Sequence, residues 1–200
     1  MRKLSAILGL SAIALFLGSL VSFASLTPGF DIVNDAVSLL GAAGQPYGTA
    51  WNVIGFVLVG FLLSGFGVVY GLSIQDPLVS LFLGLFGLAC ACIALPVQLD
   101  QPEALQTNIH IEIVCVCMAF WCFGLARLQA KGAMDNALTR YASVVAVVAI
   151  VLSSVGQAIE LLSIAHFQRL FFGGIFCWIV SVSISTLRQQ QSSSHIEIER

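Results

Sequence analysis

Charge is the scarcest ingredient of this sequence. Its 200 residues include 8 Lys and Arg and 10 Asp and Glu, 9% of the chain, where soluble proteins carry roughly a quarter. So few ionised groups cannot coat a water-facing surface of this length. A net charge of −2 leaves no basic patch, which excludes nucleic acid as a partner. Disorder and collagen are excluded by the 58% of hydrophobic residues. Also missing are a 20 to 50 residue repeat, a Gly-rich phosphate loop, a Gly-x-Ser-x-Gly elbow and a His-Glu-x-x-His pair. What is abundant is apolar surface, and a mean hydropathy of +0.99 places the chain in a lipid bilayer.

A spanning helix needs about 20 mainly apolar residues to cross a hydrocarbon layer about 30 Å thick. Six such runs are present, at approximately Leu4 to Phe23, Ala50 to Leu72, Leu78 to Val97, Ile109 to Leu128, Tyr141 to Ile164 and Phe167 to Leu187. They are continuous rather than alternating, which favours helices over a barrel. The expected fold is all-α: a polytopic six-transmembrane-helix bundle forming one domain over residues 1–187. Residues 188–200, with a Gln and Ser run, are expected to be a disordered cytoplasmic tail.

Orientation follows from the cations, which are retained on the cytoplasmic side of span ends. With the amino terminus inside, Arg2, Lys3, Arg127, Lys131, Arg140, Arg188 and Arg200 are cytoplasmic and only Arg169 is outside. This predicts a bacterial cytoplasmic (inner) membrane protein with both termini cytoplasmic. The first run also fits a cleaved signal peptide, with Ser22, Phe23 and Ala24 as a small-x-small site, but its apolar stretch exceeds the usual h-region. An uncleaved helix is the reading taken.

The longest outer connection, Ala24 to Thr49, contains Pro28, Gly29, Asp31, Asp35, Gly41, Gly44 and Pro46. Asp31 or Asp35 can cap a short interfacial helix through Leu40, with Gly41 suited to end it. Inside the membrane, small residues should form the packing seams. Gly60, Ser64, Gly67 and Gly71 recur at helical spacing in the second run, Gly84, Gly87, Ala91 and Ala94 in the third, and Gly174, Cys177, Ser181 and Ser185 in the sixth. In the fifth, Ser153, Gly156, Gln157 and Glu160 would share one face and carry a polar stripe into the bundle. Ionisable groups at such depth are expensive and are a functional hypothesis by default. The six cysteines read as small hydrophobes, because neighbours two apart, such as Cys90 and Cys92 or Cys115 and Cys117, face opposite sides of a helix.

The stretch from Asp35 through Ser38, Gly41, Gly44, Gln45, Pro46 and Tyr47, followed by Trp51, Asn52, Gly55, Phe56 and Gly60, resembles the bacterial membrane family catalogued as domain of unknown function 998 (DUF998). The later elements of that pattern would be Pro96, Asp100 and His110. The loop around Asp100 departs from it, since Leu95-Pro96 stands where the family has Phe-Pro and three residues intervene before Asp100. The resemblance covers Leu4 to Leu187 and implies the six-span fold; the family has no settled activity.

Candidate ligand-binding residues gather at the outer face: Asp35, Ser38, Asn52, Asp100, His110, Gln157, Glu160 and His166. The reading adopted is a multi-pass membrane protein, non-enzymatic and without a cofactor, whose outer polar mouth binds a lipid headgroup, a small amphiphile or a membrane partner. One alternative is a zinc-dependent hydrolase acting on lipid at the outer leaflet. Its metal candidates are His110, His166 and Asp100, in line with the three protein ligands a catalytic zinc needs; it would resemble the seven-span ceramidase-type hydrolases, which use more histidines. Another is a small-solute or proton-coupled transporter using the stripe on the fifth span.

Overall fold

The computed structural model describes residues 1–95, 103–132 and 137–198, and the side chains within them except at 103–111, 158 and 190–198. Six helices follow one another: α1 (Arg2–Leu26), α2 (Gly48–Ser73), α3 (Pro77–Cys92), α4 (Glu103–Ala130), α5 (Ala137–Ala158) and α6 (Ile164–Ile198). A short 3-10 turn, Val37–Gly41, lies between α1 and α2. Among the described residues there is no strand. Five of the helices are long and apolar enough to cross a membrane, and α3 is a shorter apolar helix of 16 residues. At 1.5 Å per residue α3 spans about 24 Å.

Neighbouring helices run antiparallel. Phe16 and Phe23 of α1 meet Trp51 of α2, with ring centroids 5.9 and 6.0 Å apart, while Gly9 lies against Phe66. The expected small-residue seam joins α2 to α3. A methyl built on Gly60 would sit 2.5 Å from the Ala91 backbone nitrogen, on Gly67 2.4 Å from the Leu83 carbonyl carbon, and on Gly87 2.1 Å from the Ser64 nitrogen. Backbones this close let dispersion act where lipid offers no hydrophobic drive between helices. The α6 seam is only half used: Gly174 lies against Ala146 and Ser185 bonds with Thr139 at 3.2 Å, but Cys177 is exposed. The core runs through Phe66, Trp121, Trp178 and Ile179, with Trp121 and Trp178 edge to face at 5.8 Å.

Three local features depart from the sequence reading. Residues Asn52–Leu58 within α2 form π-helix rather than α-helix. The fifth helix stops at Ala158 instead of continuing to 164. There the Leu161 amide donates to the Gly156 carbonyl at 2.8 Å and the Glu160 amide to the Gln157 carbonyl at 3.0 Å, with Glu160 at φ 57°. That pair of bonds around a left-handed residue is a Schellman ending. It takes Glu160 off the helix, so the polar stripe ends at Gln157. At the other end of the chain, α6 runs through to Ile198, carrying helical backbone into the segment expected to be a disordered tail.

Candidate functional site

The α1–α2 connection is built around carboxylate turns. Asp31 accepts from the Val33 amide at 2.8 Å, the Asn34 amide at 3.2 Å and the Asn34 side chain at 2.7 Å, and the Asp31 amide donates to Asp35 Oδ2 at 2.8 Å. The Asn34 side chain first, then the Val33 and Asn34 amides, hold the Asp31 carboxyl below its ordinary value. Neither aspartate caps the 3-10 turn Val37–Gly41. Its first amide, that of Val37, donates instead to Gln168 Oε1 of α6 at 2.8 Å.

Gln168 and its neighbour Arg169 thus bind the connection to the last helix. Gln168 Nε2 donates to Ser38 Oγ at 3.2 Å, and Arg169 donates to the carbonyls of Asp35 at 2.8 Å and of Ile32. An arginine fork is suited to this, because it presents several donors in a fixed plane. The clamp orients the stretch that follows, and Asn52 secures its far end: Asn52 Nδ2 donates to the Gly41 carbonyl at 2.9 Å. Asn52 Oδ1 has no hydrogen-bond partner among the described residues.

Between the fixed connection and α2 lies an open groove of about 440 Å³. It is lined by Ala42, Ala43, Gly44 and Gln45 of the connection, by the polar side chains of Thr49 and Asn52, and by the apolar side chains of Val53, Val57 and Ala94. The groove opens beside the π-helical stretch, whose wider turn begins at Asn52; such interruptions recur at functional sites. Of these groove residues Thr49 carried no signal in the sequence, whereas Gln45 stands in the stretch on which the family resemblance rests. Trp51 faces away from it, buried against Phe16, Phe23 and Phe56.

The structure distributes the sequence-derived candidates over separate places. Asn52 lines the groove, whereas Asp35 and Ser38 belong to the clamp. Glu160 is exposed in the turn after α5, and His166 is exposed with Nδ1 2.7 Å from Ser163 Oγ. Gln157 is half-buried near the end of α5. Asp100, and the side chain of His110, lie outside the described residues. Among the described residues no three His, Cys, Asp or Glu side chains come together as a metal-binding group.

At the opposite end of the bundle, in the connection between α2 and α3, is a charge cluster. Asp76 caps α3 by accepting the Leu78 and Val79 amides at 3.0 and 3.2 Å, and receives Arg127 Nε at 2.9 Å; Lys131 Nζ stands at 3.6 Å. Burial pushes the Asp76 carboxyl up, but the Val79 amide and the Arg127 guanidinium outweigh it, and the group titrates below its ordinary value. The signal was in the sequence: Asp76 followed by Pro77, an N-cap and a first-turn proline opening an apolar run.

Apolar helices packed on glycine seams, with polar connections at their ends, define a multi-pass helical integral membrane protein. Within that class, a family model described as protein of unknown function (DUF998) matches residues 10–185. The chain belongs to the DUF998 family. Comparison with curated proteins and with solved structures found no match.

Proposed function

We propose that this protein is a non-enzymatic binder of amphiphiles, resident in the bacterial cytoplasmic membrane with both termini in the cytoplasm. The connection between α1 and α2 would then face outward. The orientation rests on the cation distribution, seven on one side of the helix ends and Arg169 on the other. The observation that carries the binding function is the two-character lining of the groove. A polar wall of Thr49 and Asn52 stands beside an apolar wall of Val53 and Val57, matching a headgroup joined to the start of an acyl chain. Asn52 Oδ1 supplies an acceptor there, so the preferred headgroup carries N–H or O–H donors, as ethanolamine and glycerol do.

Purified protein in nanodiscs should bind a spin-labelled short-chain phosphatidylethanolamine, and Thr49→Phe, which fills the groove, should abolish that binding while leaving the unfolding temperature unchanged. Binding that survives Thr49→Phe overturns the proposal. A phosphatidylcholine analogue bound equally well overturns the role given to Asn52.

A further inference from the structure

Three polar side chains line the amphiphile groove, those of Gln45, Thr49 and Asn52, where the α1–α2 connection passes into α2. The backbone that carries them is fixed. The Gln45 carbonyl accepts from the Gly48 amide at 3.2 Å, closing the turn from which α2 starts, and the Gln45 backbone amide donates to the Ala42 carbonyl at 3.2 Å. A methyl on Gly48 would lie 2.9 Å from that same Ala42 oxygen, so the connection rests directly on the first residue of the helix. The side chains, by contrast, are free to take a ligand. Neither the Gln45 carboxamide nor the Thr49 hydroxyl has a hydrogen-bond partner among the described residues, and Asn52 Oδ1 is equally free. The rest of the described lining is glycine, alanine and valine, and no ionised side chain takes part.

We infer that the headgroup seated here is a neutral sugar, which makes the lipid of this groove a glycosyl diacylglycerol. The inference rests on the reading of the groove as an amphiphile site and narrows its ligand. It follows first from hydrogen-bonding character. A carboxamide offers N–H donors and a carbonyl acceptor, and a threonine hydroxyl both donates and accepts. The hydroxyls of a hexosyl ring have the same double character, so one ring can donate to Asn52 Oδ1 while exchanging bonds in both senses with Gln45 and Thr49. The phosphodiester of a phospholipid only accepts and an ammonium only donates, so each uses half of what these side chains present. Charge decides in the same direction. An ionised headgroup would exchange water for amides and a hydroxyl that hold no countercharge, which is costly. A sugar exchanges one set of neutral hydrogen bonds for another. Val53, Val57 and Ala94 complete the lining and suit the start of an acyl chain, for which a free sugar has no counterpart.

The test is the binding of two spin-labelled short-chain lipids, a monoglucosyl diacylglycerol and a phosphatidylethanolamine, to the full chain in phosphatidylcholine nanodiscs. The wild type should hold the glucosyl lipid about tenfold more tightly, the worth of one or two further hydrogen bonds. Gln45→Ala should bring the two lipids to equal affinity, and Thr49→Phe should remove both. Equal or weaker wild-type affinity for the glucosyl lipid, with both lipids lost in Thr49→Phe, overturns this inference and leaves the groove an amphiphile site. Binding of both that survives Thr49→Phe overturns the amphiphile site and the inference with it. A preference that persists in Gln45→Ala also overturns the inference, by removing the sugar from Gln45. Free glucose that displaces the spin label as well as unlabelled glucosyl lipid does would overturn it too, by assigning the groove to a soluble sugar.

Discussion

The side-chain amide of Asn52 holds the Gly41 carbonyl at 2.9 Å, and a methyl on Gly41 would fall 1.9 Å from Asn52 Oδ1. The two residues are therefore matched in size as well as in hydrogen bonding. Gly41→Ala should destabilise the protein by about 1–3 kcal/mol through overpacking. In the Asn52→Ala background, where that oxygen is gone, the same substitution should cost much less. A double-mutant cycle by denaturant titration in detergent checks the coupling; additive effects would show that the pair is not matched.

Glu160 gives the clearest choice between the sequence expectation and the observed backbone. In a helix running on to 164, Glu160→Gly would cost about 1 kcal/mol. At the left-handed position of a Schellman ending, where φ is 57°, glycine relieves strain and should raise stability by up to about 1 kcal/mol. A lowered unfolding temperature for Glu160→Gly would return Glu160 to the helix.

Asp76 predicts a pH dependence at the opposite end of the bundle. Its carboxyl titrates lower in the folded protein than in the unfolded chain, so its stabilisation is fully present above the unfolded value of about 3.9 and is lost as pH falls through the lower folded value. Asp76→Ala should cost about 1–2 kcal/mol at pH 7, the loss of an N-cap. Unfolding temperatures of wild type and variant should differ by a constant amount from pH 7 to pH 5 and converge below about pH 4.

Arg169 and Gln168 predict where loosening would be felt. Arg169→Lys keeps the charge but loses the fork that spans the Ile32 and Asp35 carbonyls, and Gln168→Leu removes the cap on Val37. Hydrogen exchange should rise at least tenfold at Val37 in Gln168→Leu while amides in the middle of α2 keep their protection. Unchanged exchange at Val37 would remove Gln168 from the clamp.

The helices and the α2–α3 seam were legible because both rest on local pattern: runs of apolar residues, and glycine at helical spacing. Gly60, Gly67 and Gly87 could be read that way, since a small residue at an interface reports its own neighbour's closeness. The candidate site was less legible, because its parts are joined by contacts between residues far apart in the chain. Val37 takes its cap from Gln168, 131 residues away, and no local rule favours Gln168 over Asp35 for that task. Glu160 was misplaced for a different reason. A glutamate is a good helix former, and nothing in its neighbours shows that the Gly156 carbonyl will be taken by Leu161.

The glycine seams predict a contrast among substitutions of one kind. Gly87→Ala would place a methyl 2.1 Å from the Ser64 backbone, which cannot swing aside as a side chain can, so α2 and α3 must separate along the seam. Gly18 and Gly173 lie in helices with nothing within 4 Å of the added methyl. There the change should stabilise by about 0.5–1 kcal/mol, because alanine loses less backbone freedom than glycine in a helix. Gly87→Ala should instead lower stability by about 1–3 kcal/mol. Reversible unfolding of the three variants in one detergent provides the comparison. The sign, rather than the size, of the difference decides whether α2 and α3 are held at backbone contact; a stabilised Gly87→Ala would mean that they are not.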